Sequence, residues 1–181
     1  MIISSLSDLR YYLEADYSRI DHNAFRGGYL RFLLTNHSIR ILFWMRICQY
    51  LASKGKCFWL LFALARLIYK HQEWKTGIQI PYDTSIGAGA FFPHHGCIII
   101  NGNAVIGDNC TIYQGVTIGY SGHWPDGGVP SLGNNVTIYP GAKVFGHITL
   151  GDNVTVGANC VVCKDVPNNS VVYAPLGVTK N

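Results

Sequence analysis

From Ile80 onward, branched apolar residues recur every six positions. Ile80, Ile86 and Phe92 set the period, the phase slips by two, and it resumes at Ile100, Ile106, Ile112 and Ile118. After a gap it continues at Leu132, Ile138, Val144, Leu150, Val156 and Val162. A glycine often follows at once, as at Gly87, Gly107, Gly119 and Gly133, and the fourth position on is small or branched, as at Ala90, Cys110, Ala142 and Cys160. A short fixed period sustained this long signals a solenoid. Three hexads close a triangular coil of about eighteen residues, with the branched residue inside the prism and Gly, Asn or Asp taking the tight corners. An amphipathic helix cannot carry this period, and a β-sandwich would show strict alternation and hairpin turns.

The first half follows a helical pattern. Ser7 can cap a helix through Leu9, Tyr12, Leu13 and Tyr17, and Asn36 or Ser38 can start a second through Ile41, Leu42, Met45 and Cys48. Gly55 ends it, and a third helix runs from about Cys57 to Glu73. The expected organisation is an α-helical domain over 1–76 and a mainly β domain, a parallel β-helix, over 77–181 with an extended loop at 120–131. The apolar faces of the second and third helices are too broad for one small bundle, so part should pack on the β-helix or on another subunit.

With 49% hydrophobic and 13% charged residues the chain lies far from disorder. The net charge of +4 is scattered without a dense basic block, which argues against a nucleic-acid partner. The start of the chain lacks the pattern of a secretory leader. The apolar stretch from Cys57 to Tyr69 contains Arg66 and falls short of the roughly twenty residues that a spanning helix needs. The expected location is cytoplasmic, with contact to a membrane surface left open by this apolar stretch. Six cysteines without a leader read as reduced thiols, and Cys160-x-x-Cys163 lacks a second ligand pair, so no metal is expected.

Two irregularities break the repeat, and function tends to sit where a regular scaffold is interrupted. One is the phase slip at Pro93-His94-His95-Gly96-Cys97; the other is the insertion from about Tyr120 to Ser131. Ile86 to His94, Gly96 to Gly119 and Gly141 to Ala158 resemble the serine acetyltransferase family, whose relatives include enzymes of capsule and exopolysaccharide synthesis. The resemblance covers about residues 75 to 170. It implies a left-handed β-helix, although right-handed crossovers are the general rule. It implies an acetyl-CoA-dependent O-acetyltransferase that works as a homotrimer or a dimer of trimers. His94 matches the family's catalytic histidine and would take the proton of an acceptor hydroxyl as it attacks the thioester. An imidazole suits that task because its ordinary pKa is about 6.5. His95 and His123 are the competing bases, while His147 reads as a structural turn residue.

The acceptor side departs from the family. Gln79 stands where an aspartate orients the histidine, Pro93 replaces an acid, and Gly128-Val129 replaces an Arg-His pair. A zwitterion bound there would keep unpaired charges, so the acceptor stays open between L-serine and a sugar or polysaccharide hydroxyl. Gln79, Gln114 and His123 are the candidate acceptor contacts. Counting one coil from Phe92 to Ile112 sets Gln114 over His94, with coils about 4.8 Å apart. The resemblance puts the cofactor along Gly119, Ala142, Ala158 and Lys164. A non-catalytic β-helix scaffold is the competing reading, supported by Gln79.

Overall fold

The computed structural model describes residues 3–20, 33–122 and 127–174. Helices come first: α1 (Leu6–Ser18), α2 (His37–Ser53) and, after a 3₁₀ turn at Gly55–Phe58, α3 (Trp59–Thr76). Ser5, not Ser7, caps α1, in a reciprocal box with Asp8; Asn36 caps α2 through the Ile39 N–H. Gly77 closes α3 in the left-handed region.

The described strands from Ile78 to Val172 wind as a left-handed parallel β-helix. β1 (Ile78–Gln79), β3 (Ile98–Ile100), β6 (Thr117–Gly119), β9 (Lys143–Phe145) and β12 (Val161–Val162) stack as the first face. β2 (Ser85–Ile86), β4 (Val105–Ile106), β7 (Ser131–Leu132) and β10 (Thr149–Leu150) form the second. β5 (Thr111–Ile112), β8 (Thr137–Ile138), β11 (Thr155–Val156) and β13 (Val171–Val172) form the third. Each coil visits the faces in that order, and every named pair is parallel. The branched hexad residues are buried inside the prism, and Cys110 and Cys160 fill the small slots beside them.

The corner between the second and third faces shows how composition makes a turn. Asn109, Asn135, Asn153 and Asn169 occupy the left-handed region near φ 58°, which Asn tolerates better than most side chains. Their amides also link coils, Asn135 Nδ2 donating to Asn153 Oδ1 at 3.0 Å and Asn153 Nδ2 to Asn169 Oδ1 at 2.8 Å. Beside this column, Gly107 lets the next coil approach: a Cβ there would stand 2.4 Å from the Gly133 carbonyl oxygen. Gly107→Ala is therefore expected to destabilise the fold by about 1–3 kcal/mol, read as a lower urea midpoint with an unchanged slope.

A solenoid end exposes a row of unpaired strand groups, and here the helices close it. Glu73 Oε1 accepts from the Ile80 N–H at 3.1 Å, and the Tyr69 hydroxyl donates to the Ile80 carbonyl at 2.7 Å. Gln49 Nε2 donates to Thr84 O at 3.2 Å. Arg46 donates to Ile86 O at 2.7 Å and Gly87 O at 2.6 Å, while Asp16 Oδ1 accepts from Gly89 N at 2.9 Å and Ala90 N at 3.1 Å. Buried residues of α2 and α3 join the prism interior in one continuous core.

Candidate active site

The phase slip is a corner enlarged by two residues. Between the third and first faces, Phe92 to Ile98 takes six steps where Ile112 to Val116 takes four on the next coil. The Gly115 N–H donates to the Gly96 carbonyl at 3.0 Å, so Gln114 pairs with Gly96 and not with His94. This corrects the register expected from counting hexads: the two extra residues are accommodated within the turn rather than along the strands. His94 and His95 are exposed on that turn. Gly96 at φ 110° and Cys97 at φ 52° return the chain to β3.

Helix α2 grips the root of this turn. The Phe92 N–H donates to Ser38 Oγ at 3.0 Å, and His37 Nε2 donates to the Phe92 carbonyl at 3.1 Å. The His37 ring meets His95 edge-on at 4.9 Å. Burial, with His95 and His94 nearby, holds the His37 pKa below its ordinary value. A histidine depressed in the fold contributes stability that is complete above its unfolded pKa of about 6.5 and is lost as pH falls through the folded value. His37→Gln, whose amide can still donate to Phe92, is expected to flatten that dependence. Denaturation midpoints between about pH 7 and pH 5 check it, with wild type losing more than the variant.

Up the same corner lie Tyr113 and Gln114, then Tyr139, then Gly157 and Ala158. The His94 and Tyr113 rings are 6.2 Å apart, and Tyr113 stacks on Tyr139 at 5.1 Å with 9° between planes. Gln114 Oε1 is buried without a hydrogen-bond partner, a feature that asks for a donor from a ligand or water. Ala158 is exposed on this corner. Gln79 lies lower, on β1 beside Ile99, with its side chain exposed.

The other candidates occupy the next corner, between the first and second faces. The extended loop leaves and returns there through a neck in which Ser121 and Gly128 exchange backbone hydrogen bonds at 3.1 and 3.2 Å. His147 packs under Gly128 and supports that neck, while His123 lies outside the described residues. Gly119, crossed by the Phe145 ring, and exposed Lys164 flank the same corner. Ala142 corrects an expectation: its methyl is inside the prism, and its N–H and carbonyl bond Tyr139 and Thr117, so it presents nothing to an outer groove. Among the described residues no group of three His, Cys, Asp or Glu side chains could hold a metal ion.

Sequence reading missed His37, Tyr113 and Tyr139. The tyrosines had a signal, since each directly follows a branched hexad residue, Ile112 or Ile138. His37 had none, because its role comes from packing across 55 positions of chain.

Residues 130–164 match the family described as bacterial transferase hexapeptide (six repeats). A serine acetyltransferase of Staphylococcus xylosus is 45% identical over 111 residues, 61% of this chain and 51% of that protein. One from Helicobacter pylori is 42% identical over 107 residues, 59% of this chain and 63% of that protein. Both of these relatives are serine acetyltransferases. The solved structures agree: serine acetyltransferase isoform 3 of Entamoeba histolytica, in complex with cysteine, superposes with TM-score 0.74 at 29% identity. It covers 97% of this chain and 62% of its own. The serine acetyltransferase of Brucella abortus in complex with coenzyme A superposes with TM-score 0.71 at 25% identity, over 93% and 64%. The chain spans from 45% to 63% of the length of the curated serine acetyltransferases it matches.

Proposed function

We propose that the chain is an acetyl-CoA-dependent O-acetyltransferase in which His94 is the general base. The observation that carries this reading is the enlarged corner, which lifts His94 into solvent beside Tyr113 on the same corner that carries the unpartnered Gln114 Oε1. His94 takes the proton of the acceptor hydroxyl, the oxygen attacks the thioester carbonyl, and the CoA thiolate leaves and is protonated. Backbone N–H groups at the coil corners hold the oxyanion. Gln114 Oε1 accepts a hydrogen bond from a second acceptor hydroxyl. Gln79 is a weaker orienting group than a carboxylate, because it brings no charge to a developing imidazolium.

The acceptor we infer is a saccharide hydroxyl. Gln79, Pro93, Gly128 and Val129 offer no charge to the ammonium and carboxylate of serine, and Tyr113 stacked on Tyr139 gives a flat apolar wall on which a sugar face can rest. The working unit is a homotrimer, because His94 stands at one corner of the prism and the loop neck, Gly119 and Lys164 at the next. Prisms packed around a threefold axis bring one subunit's His94 corner against its neighbour's loop corner. The six free cysteines suit a reducing, cytoplasmic setting, and the N-terminal domain of 1–76 acts through its described helices to close one end of the β-helix domain of 77–181.

Thiol release from acetyl-CoA, followed with L-serine and with a panel of mono- and oligosaccharides, tests this. Turnover with a sugar and none with serine is expected; turnover with serine alone overturns the acceptor, and neither turnover nor CoA binding favours a scaffold. Light scattering that finds monomer at working concentration overturns the trimer.

A further inference from the structure

Helix α3 has two apolar sides. One, with Ala65 and Tyr69, is buried against α2 and the first coil. The opposite side carries Leu60, Leu64, Leu67 and Trp74, which are 67%, 56%, 70% and 75% exposed, with the exposed His71 among them and Trp59 at the margin of the first turn. From Leu60 to Trp74 the stripe runs about 21 Å at the helical rise. An exposed apolar face this long marks an interaction surface.

We propose that this face lies on an anionic lipid surface. The charges around it decide the occupant. From His37 to Thr76 the sequence holds seven Lys or Arg residues and a single acid, Glu73. Glu73 is buried: its Oε1 accepts from the Ile80 N–H and its Oε2 pairs with Lys70 at 3.1 Å and lies 3.9 Å from Arg66, which leaves Lys56 and Lys75, among the described residues, as the unpaired cations at the stripe. At 100° per residue Lys70 and Lys75 flank the stripe on either side, and Lys56 stands exposed just before it. Long cationic side chains at the edges of an apolar stripe can reach lipid headgroups while their stems stay on the apolar surface. Trp59 and Trp74 stand near its two ends, and tryptophan prefers the boundary between headgroups and hydrocarbon. A second copy docked through the same face about a twofold axis would set this one-signed rim against itself. Among the described residues no helix is long and apolar enough to cross a membrane, so the helix lies in the plane of the surface.

Co-sedimentation of the full chain with vesicles tests the proposal, using phosphatidylcholine alone and phosphatidylcholine mixed with phosphatidylglycerol. Binding is expected to the mixed vesicles, and to weaken at about 1 M salt, where charges are screened beyond about 3 Å. Leu64→Glu combined with Leu67→Glu alters only exposed positions, and unchanged circular dichroism shows that it folds. It is expected to bind at least about tenfold more weakly, and Lys56→Glu with Lys75→Glu is expected to abolish the preference for anionic vesicles. No binding of the wild-type chain to either vesicle overturns the proposal. So does an assembly that light scattering detects, that the Leu64→Glu, Leu67→Glu variant breaks and that vesicles do not displace, because a second copy then covers the face.

Discussion

Replacing His94 by alanine is expected to lower acetyl-transfer turnover by about 10²–10⁴-fold, the usual contribution of a general base. The dissociation constant for CoA should stay near the wild-type value, because the proposed role sets the imidazole on the acceptor's proton and not on the cofactor. The loss therefore belongs in kcat at saturating acetyl-CoA, measured as thiol release with whichever acceptor the screen identifies. The exposed turn tolerates the change: Phe92 at its root is tied by Ser38 and His37, neither of which depends on the His94 ring. Gln79→Ala should cost less, since a neutral amide orients an imidazolium more weakly than a carboxylate does. A His94→Ala enzyme that keeps more than about a tenth of its turnover would move the base to His95, which shares the turn, or to His123.

The second large effect is on folding. Arg46 and Asp16 are both buried, joined at 3.0 Å between Arg46 Nε and Asp16 Oδ2. The guanidinium also lies 4.5 Å over the Tyr12 ring. Burial pushes the Asp16 carboxyl above its ordinary value, while Arg46 and the Gly89 and Ala90 N–H groups pull it back. Arg46→Ala leaves that buried carboxylate without its cation, with only the Gly89 and Ala90 N–H groups as donors, and removes the guanidinium donor from two carbonyls, Ile86 O and Gly87 O. Breaking a buried pair from one side costs about 3–5 kcal/mol, and chemical denaturation should show the loss in full. An apolar exchange of both partners, Asp16→Leu with Arg46→Met, is often harmless for an isolated pair. Here it should recover only part of the loss, because four backbone groups of the first coil would remain unpaired. Recovery to wild-type stability would mean that the helices do not serve as donors and acceptors for the solenoid end.

The β-helix was legible in the sequence because its constraint is local and repeated. Ile100, Ile106, Ile112 and Ile118 each meet the same requirement, a branched side chain inside a narrow prism, so the period shows without knowledge of any partner. Gly107 and Asn109 were legible for the same reason, since the corner tolerates few other side chains. The phase slip at His94 was visible as a broken rhythm, and the likeness to serine acetyltransferases made its histidine the candidate base.

What the sequence could not contain is where two extra residues go and what holds them. The six-step turn pairs Gln114 with Gly96, because strand hydrogen bonds on either side fix the register and the surplus chain must bulge between them. Ala142 satisfies the same small-residue rule as a surface corner, yet it points inward, which only the closed coil decides. The helices likewise looked like a separate domain. Their polar groups prove to be the terminal pairing layer of the β-helix, with Asp16, Ser38, Arg46, Tyr69 and Glu73 each meeting a backbone group of the first coil. A period records what every coil needs; the first coil's unpaired edge is met by side chains of the helices outside the repeat, and only the tertiary structure brings them to it.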